Sequence, residues 1–211
     1  MIQSLKTQIS TYMSDTINIF PTKIYKTELS MNTDRIFRCI RKLQVDFEQR
    51  AIETNHGIMQ SGSLTYGNAM GTIHTLPDMA ELTLKIIKHL KVFWIELGYS
   101  KSPLPSWERM WFNTYKKNSF VSMHNHSPAS IVGCYYLNKT DSASNIHFLN
   151  PNEMLLKTQP FGHKGYDEFT FFEKEIEVCS GDLLLWPGYL KHRTTPVNDD
   201  SERISIAFNF I

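Results

Sequence analysis

Two hydrophobic patterns divide the chain near residue 100. Between Thr33 and Thr54 apolar residues recur at three- and four-residue steps, at Ile36, Ile40, Leu43 and Phe47, with basic residues on the other face. That stripe predicts an amphipathic helix. It returns at Met79, Leu82, Ile86, Leu90, Phe93 and Leu97, where Pro77 suits a first turn and Gly98 a C-terminal stop. The stretch 55–75 between them is rich in Gly, Ser, Asn and Thr, so loop is expected there, with one short strand near Leu64–Tyr66. A first strand is expected at Ile17–Ile24, where Pro21 confines it to a sheet edge or a strand start.

Beyond Lys101 the pattern changes to short runs of β-branched and aromatic residues separated by turn clusters, as in a sandwich or barrel. The expected strands are Arg109–Lys116, Ser130–Leu137, Asn145–Leu149, Phe169–Glu177, Asp182–Trp186 and Arg203–Ile211. Two helices followed by these strands predict an α+β fold with the helices packed outside the sheets. We read a single domain over 1–211, with helical support in 1–100 and a β core in 101–211. The segment Pro151–Thr170 is long for a hairpin connection and carries Phe161, Tyr166 and Phe169 beside Gly162 and Gly165. It reads either as a lid or as a loop packed on the barrel rim.

Composition narrows the class. A chain of 211 residues with 41% hydrophobic content suits one substantial core. Lys and Arg total 22 against 21 for Asp and Glu, a formal charge of +1, so no broad field indicates nucleic acid or an anionic membrane. Cys39, Cys134 and Cys179 are odd in number and lack CxxC spacing, which points to reduced, buried thiols. With neither a leader pattern nor the roughly 20 apolar residues that span a bilayer, the expected location is the cytoplasm.

The chemistry lies in the histidines. His124 and His126 are two apart, so at a strand end both side chains share a face and can supply neighbouring metal ligands. His192 follows the turn, apolar strand and second turn of Gly181–Pro187, and is the candidate third ligand. Arg203 comes eleven residues later on a strand that can carry its guanidinium deep into a barrel, where the planar fork grips a small dicarboxylate. Asp182 is an alternative ligand, although Gly-Asp before an apolar strand reads better as a turn device. His147 should lie near the site as a satisfied or half-exposed residue, and His56, His74, His89 and His163 read as surface or loop positions.

The segments Trp111–Tyr115, His124–Leu137 and Gly181–Phe210 resemble a family of 2-oxoglutarate/Fe(II) oxygenases in which a His-X-His segment precedes a strand ending Tyr-Leu. Ile19-Phe20-Pro21 and Gln60-Ser61 are similar to the N-terminal half of that family. More distantly, Gly133–Asn138 resembles the corresponding strand of prolyl hydroxylases. The resemblance implies a double-stranded β-helix of the jelly-roll or cupin type, with Fe(II) on His124, His126 and His192. It also implies 2-oxoglutarate as cosubstrate, and dioxygen consumed in hydroxylating a C–H bond with release of succinate and CO2. Tyr136 inherits by position a contact with the far carboxylate of 2-oxoglutarate. Ser205, on the same strand face as Arg203, can add a hydroxyl donor there, and Asn113 or Tyr115 can touch the near carboxylate.

One departure stands out: the broader superfamily has a carboxylate where this chain has His126. Three-histidine faces belong to some cupin-type dioxygenases, so two other readings stay open. One is a cupin-like dioxygenase or isomerase that does not use 2-oxoglutarate and binds its substrate through Arg203. The other is a noncatalytic β-helix that binds a ligand or a partner protein. The prime substrate is unidentified, with a small molecule or a peptide both compatible.

Overall fold

Period-two alternation in the second half of the chain folds into two antiparallel sheets packed face to face. The computed structural model describes residues 19–54, 59–60, 63–66, 71–139, 145–158, 160, 167, 170–198, 200 and 202–211. In chain order the elements are β1 (Tyr25–Glu28), α1 (Asp34–Thr54), β2 (Met59–Gln60), β3 (Ser63–Tyr66) and α2 (Ala80–Glu96). They continue with β4 (Trp107–Tyr115), β5 (Ile131–Asn138), β6 (Ile146–Leu149), α3 (Glu153–Thr158), β7 (Glu173–Ile176), β8 (Asp182–Pro187), β9 (His192–Thr194) and β10 (Arg203–Phe210). The larger sheet has the order β1-β8-β5-β10-β4-β3-β2 and the smaller one β7-β6-β9.

Alternation along the central strands separates two cores. Ile131, Tyr135 and Leu137 of β5, Leu183 and Leu185 of β8, and Ile204, Ile206, Phe208 and Phe210 of β10 face the helices. There they meet Leu82, Ile86, Leu90 and Phe93 of α2 and Ile36 and Ile40 of α1. The intervening residues, Val132, Cys134 and Tyr136 of β5 with Leu184 and Trp186 of β8, pack against Ile146 and Phe148 of the smaller sheet. The helices thus brace the large sheet from outside, and the space between the sheets holds the polar chemistry. Gly98, at φ +94, ends α2: Tyr99 N–H donates to Trp94 O at 3.1 Å and Gly98 N–H to Ile95 O at 2.9 Å. This is the paired closure that a left-handed glycine allows.

Several boundaries differ from expectation. The first strand begins at Tyr25, because Pro21 has no N–H to give a ladder and Phe20 sits at φ +57 with its side chain 92% exposed. Residues 17 and 18 of the expected strand lie outside the described residues, as do Phe161, Gly162, Gly165, Tyr166 and Phe169 of the expected lid. Pro77 belongs to a short 3-10 turn, Pro77–Met79, ahead of α2. The strand expected over 169–177 is reduced to β7, while α3 and β9 were not anticipated. Both are too short to leave a periodic signal. Cys134 is buried, but Cys179, in the turn before β8, is exposed; all three thiols are free. Among the described residues no helix is long and apolar enough to cross a membrane.

Candidate active site

Backbone pairing brings the three histidines together. The segment 121–126 runs beside β9 without forming a regular strand. Thr194 N–H donates to Val121 O at 3.0 Å, His124 N–H to His192 O at 3.0 Å, and His192 N–H to His124 O at 2.8 Å. His126 N–H donates to Gly188 O at 2.9 Å, and Ala129 N–H closes a turn onto His126 O at 2.8 Å. Gly188 is required at this crossing, since a Cβ there would lie 2.0 Å from the Ala129 carbonyl oxygen. The result is one ligand atom from each of His124, His126 and His192 within 4.8 Å of the others.

Hydrogen bonding decides which nitrogen is offered. His124 Nδ1 lies 2.8 Å from Ser122 O and His192 Nδ1 lies 2.9 Å from Leu190 O. A carbonyl can only accept, so Nδ1 carries the proton and the Nε2 lone pair of each ring is available to a metal. Trp186 packs edge-on against His192 at 4.9 Å, and burial together with His124 lowers the His192 pKa to about 3. His126 is stacked between Trp111 at 5.8 Å and His192 at 5.2 Å. Burial first, then His124, lowers its pKa to about 4. Both rings are therefore neutral at physiological pH, the form in which imidazole binds metal. Three imidazoles converging from one side fit Fe(II), and equally other divalent metals that imidazole suits.

The triad borders a cavity of about 650 Å³. Its walls carry Arg203, Ser205, Ala207 and Asn209 from β10, Arg109, Trp111, Asn113 and Tyr115 from β4, and Val132, Cys134 and Tyr136 from β5. Strand register sets these in rows: Arg203 opposite Tyr115, Ser205 between Asn113 and Tyr136, and Ala207 between Trp111 and Cys134. Arg203 is 1% exposed, its guanidinium 4.6 Å from the Tyr115 ring centre and 5.1 Å from that of Tyr136. Two aromatic faces hold the planar cation by cation–π attraction. Among the described residues the buried Tyr136 hydroxyl has no oxygen or nitrogen partner at hydrogen-bond distance, and it borders the Cys134 thiol. Burial raises the Tyr136 pKa well above the phenol range and pushes Cys134 to about 11, so both remain protonated.

All eight site residues expected from the sequence line this one cavity: His124, His126, His192, Arg203, Tyr136, Ser205, Asn113 and Tyr115. Trp111, against His126, and Tyr115, against Arg203, are four residues apart on β4, roughly 13 Å along a strand. Tyr115 accordingly lies at the arginine end, whereas a contact nearer the histidines was expected; Asn113 is one step closer to them. Asp182 is no part of the site: it accepts from Cys179 N–H at 2.7 Å and pairs with Lys26 at 3.0 Å, the turn device its Gly-Asp context suggested. His147 is half-buried beside Glu173 at 3.4 Å. His74 stacks on Trp107 at 5.1 Å and His89 bonds the Tyr25 hydroxyl at 2.8 Å, so both are packed rather than loose surface groups. His56 and His163 lie outside the described residues.

Sequence reasoning missed Asn209 and the walls formed by Trp111 and Trp186. The signal for Asn209 was present: the alternation that places Ser205 beside Arg203 continues to Ala207 and Asn209.

Residues 109–209 match the family model described as "Putative 2OG-Fe(II) oxygenase". In backbone the chain is similar to a Pseudomonas putida prolyl-4-hydroxylase (TM-score 0.51, 13% identity, 100% of this chain and 98% of that one covered). It is also similar to a prolyl hydroxylase from Trichoplax adhaerens, solved with a hypoxia inducible factor peptide fragment (0.53, 12%, 97% and 86%). A third similar structure is SnoN, a non-heme alpha ketoglutarate dependent epimerase from nogalamycin biosynthesis (0.55, 8%, 100% and 84%). At these identities the likeness is one of fold, the double-stranded β-helix. No curated protein matches the sequence. The family match covers the β core, residues 109–209, and the structural neighbours add the fold; the three histidines are the group in that core that could hold a metal ion.

Proposed function

We propose that this chain is a single-domain cytoplasmic oxygenase that hydroxylates a C–H bond of a small-molecule or peptide substrate, with Fe(II) on His124, His126 and His192 and 2-oxoglutarate held by Arg203. The observation that carries this reading is the shared cavity, with three imidazoles at one end and a buried, ring-clamped guanidinium at the other. When bound, iron and 2-oxoglutarate supply dioxygen activation coupled to decarboxylation to succinate.

The chain's own residues have separable tasks. His124 and His192 keep their Nε2 lone pairs pointed inward because Ser122 O and Leu190 O hold the opposite N–H groups. Arg203 meets the far carboxylate with a planar fork whose orientation Tyr115 and Tyr136 have already fixed, so little freedom is lost on binding. The Tyr136 and Ser205 hydroxyls lie on the same row and can each donate to that carboxylate. Asn113, one step toward the histidines, offers an amide to the chain or near carboxylate of the cosubstrate. Trp186 and Phe148 exclude water from behind His192. Metal content of the purified protein and of His192→Ala, together with anaerobic 2-oxoglutarate calorimetry, tests the assignment. One iron per chain in the wild type and none in the variant supports it; undiminished iron in the variant overturns it.

A further inference from the structure

Among the described residues no backbone carbonyl holds a His126 ring nitrogen as Ser122 O and Leu190 O hold those of His124 and His192; the polar side chain beside its ring is Asn209. Asn209 is 5% exposed and donates through Nδ2 to Glu108 Oε2 at 2.9 Å. A carboxylate only accepts, so Glu108 selects the NH2 side of the amide and turns Oδ1 toward His126. That Oδ1 is buried and, among the described residues, accepts no hydrogen bond of full geometry. A buried acceptor left in this state is costly unless a nearby donor completes it, and the donor within reach is a ring N–H of His126. Glu108 is held in turn by Arg109 at 3.2 Å.

We infer that Glu108 and Asn209 are positioning residues for the third metal ligand: the carboxylate orients the amide, and the amide oxygen takes one ring N–H of His126, leaving the opposite nitrogen free for the metal. This rests on the reading of His126 as a ligand. The chain Glu108···Asn209···His126 also sets a negative charge two hydrogen bonds behind the position where the broader superfamily has a carboxylate ligand. Polarisation along such a chain makes the imidazole a stronger donor.

Two measurements test it on the full chain. Long-range proton–nitrogen NMR of the protein without added metal, at pH 7.5, reads the His126 tautomer, and titration with Fe(II) or Co(II) under anaerobic conditions reads affinity. The wild type should show one neutral His126 tautomer, and Asn209→Ala should show two, with metal bound about 10–100-fold more weakly. Glu108→Ala, a change on the outer rim that spares the core, should produce the same two effects in smaller measure. A single tautomer and wild-type affinity in both variants would overturn the inference. If the wild type bound no metal, the ligand assignment would fail while the tautomer measurement still decided the contact between Asn209 and His126.

Discussion

His124 and His192 hydrogen-bond each other's backbone in both directions, at 3.0 and 2.8 Å. Two proposed ligands far apart in sequence are therefore registered by the fold itself, and their rings stand 4.4 Å apart between centroids. The site is preorganised by main-chain pairing, so the cost of assembling it is met when the sheets form.

Acid should destabilise the protein through this cluster. The folded pKa values of His192 and His126, about 3 and about 4, lie below the ordinary 6.5. Between those values the unfolded chain binds protons that the folded chain does not, so stability falls as pH drops from 6.5 toward 4. The slope is about 1.4 kcal/mol per pH unit for each histidine. Chemical denaturation of chelator-treated protein from pH 7.5 to 4.5 should show this decline, and His126→Asn should flatten it. A pH-independent wild type would contradict the burial of the rings.

Arg203→Lys keeps the charge and loses the planar fork between the Tyr115 and Tyr136 rings. Arg203→Ala removes both. Calorimetry under anaerobic conditions should show 2-oxoglutarate binding weakened by about 2–5 kcal/mol in Arg203→Ala, with Arg203→Lys between it and the wild type. Unchanged binding in Arg203→Ala would return this arginine to a structural role.

Gly188→Ala should damage the site without touching a ligand. Its Cβ would meet the Ala129 carbonyl oxygen at 2.0 Å, a backbone atom that cannot swing aside, at the strand crossing that fixes His126. We expect a loss of about 1–3 kcal/mol in stability together with weaker metal binding, read by thermal melting and metal titration. Wild-type values for both would mean that the crossing is more yielding than its geometry indicates.

His126→Asp should retain iron and His126→Ala should lose it. Aspartate provides the more common carboxylate, but its side chain is shorter than imidazole, and the stacking of Trp111 and His192 on ring 126 resists a shift of the metal. Metal retention with altered coupling between 2-oxoglutarate turnover and product is the expected outcome, checked by iron analysis and succinate assay. Full iron occupancy in His126→Ala would remove His126 from the ligand set.

Much of this was legible in the sequence because period-two strands carry their own face assignment. Arg203, Ser205, Tyr136 and Asn113 could be placed on the cavity side from alternation once the strands were found. The histidines stood out through their spacing and order, and α2 through its stripe and Gly98. What stayed hidden depends on tertiary pairing. Register sets Tyr115 against Arg203 and not nearer the histidines, and only the folded sheet brings Glu108, Asn209 and His126 into one line. The short β9 left no periodic trace because its three residues are defined by partners on β6 and by His124.

The most direct test of the central claim is succinate formation from 2-oxoglutarate by Fe(II)-loaded protein in air, compared with His192→Ala. The account predicts iron-dependent succinate release by the wild type, even slowly without a prime substrate, and none by the variant. Iron bound by all three histidines with no 2-oxoglutarate consumed would contradict it, and would leave Arg203 to bind the substrate of a different three-histidine oxygenase.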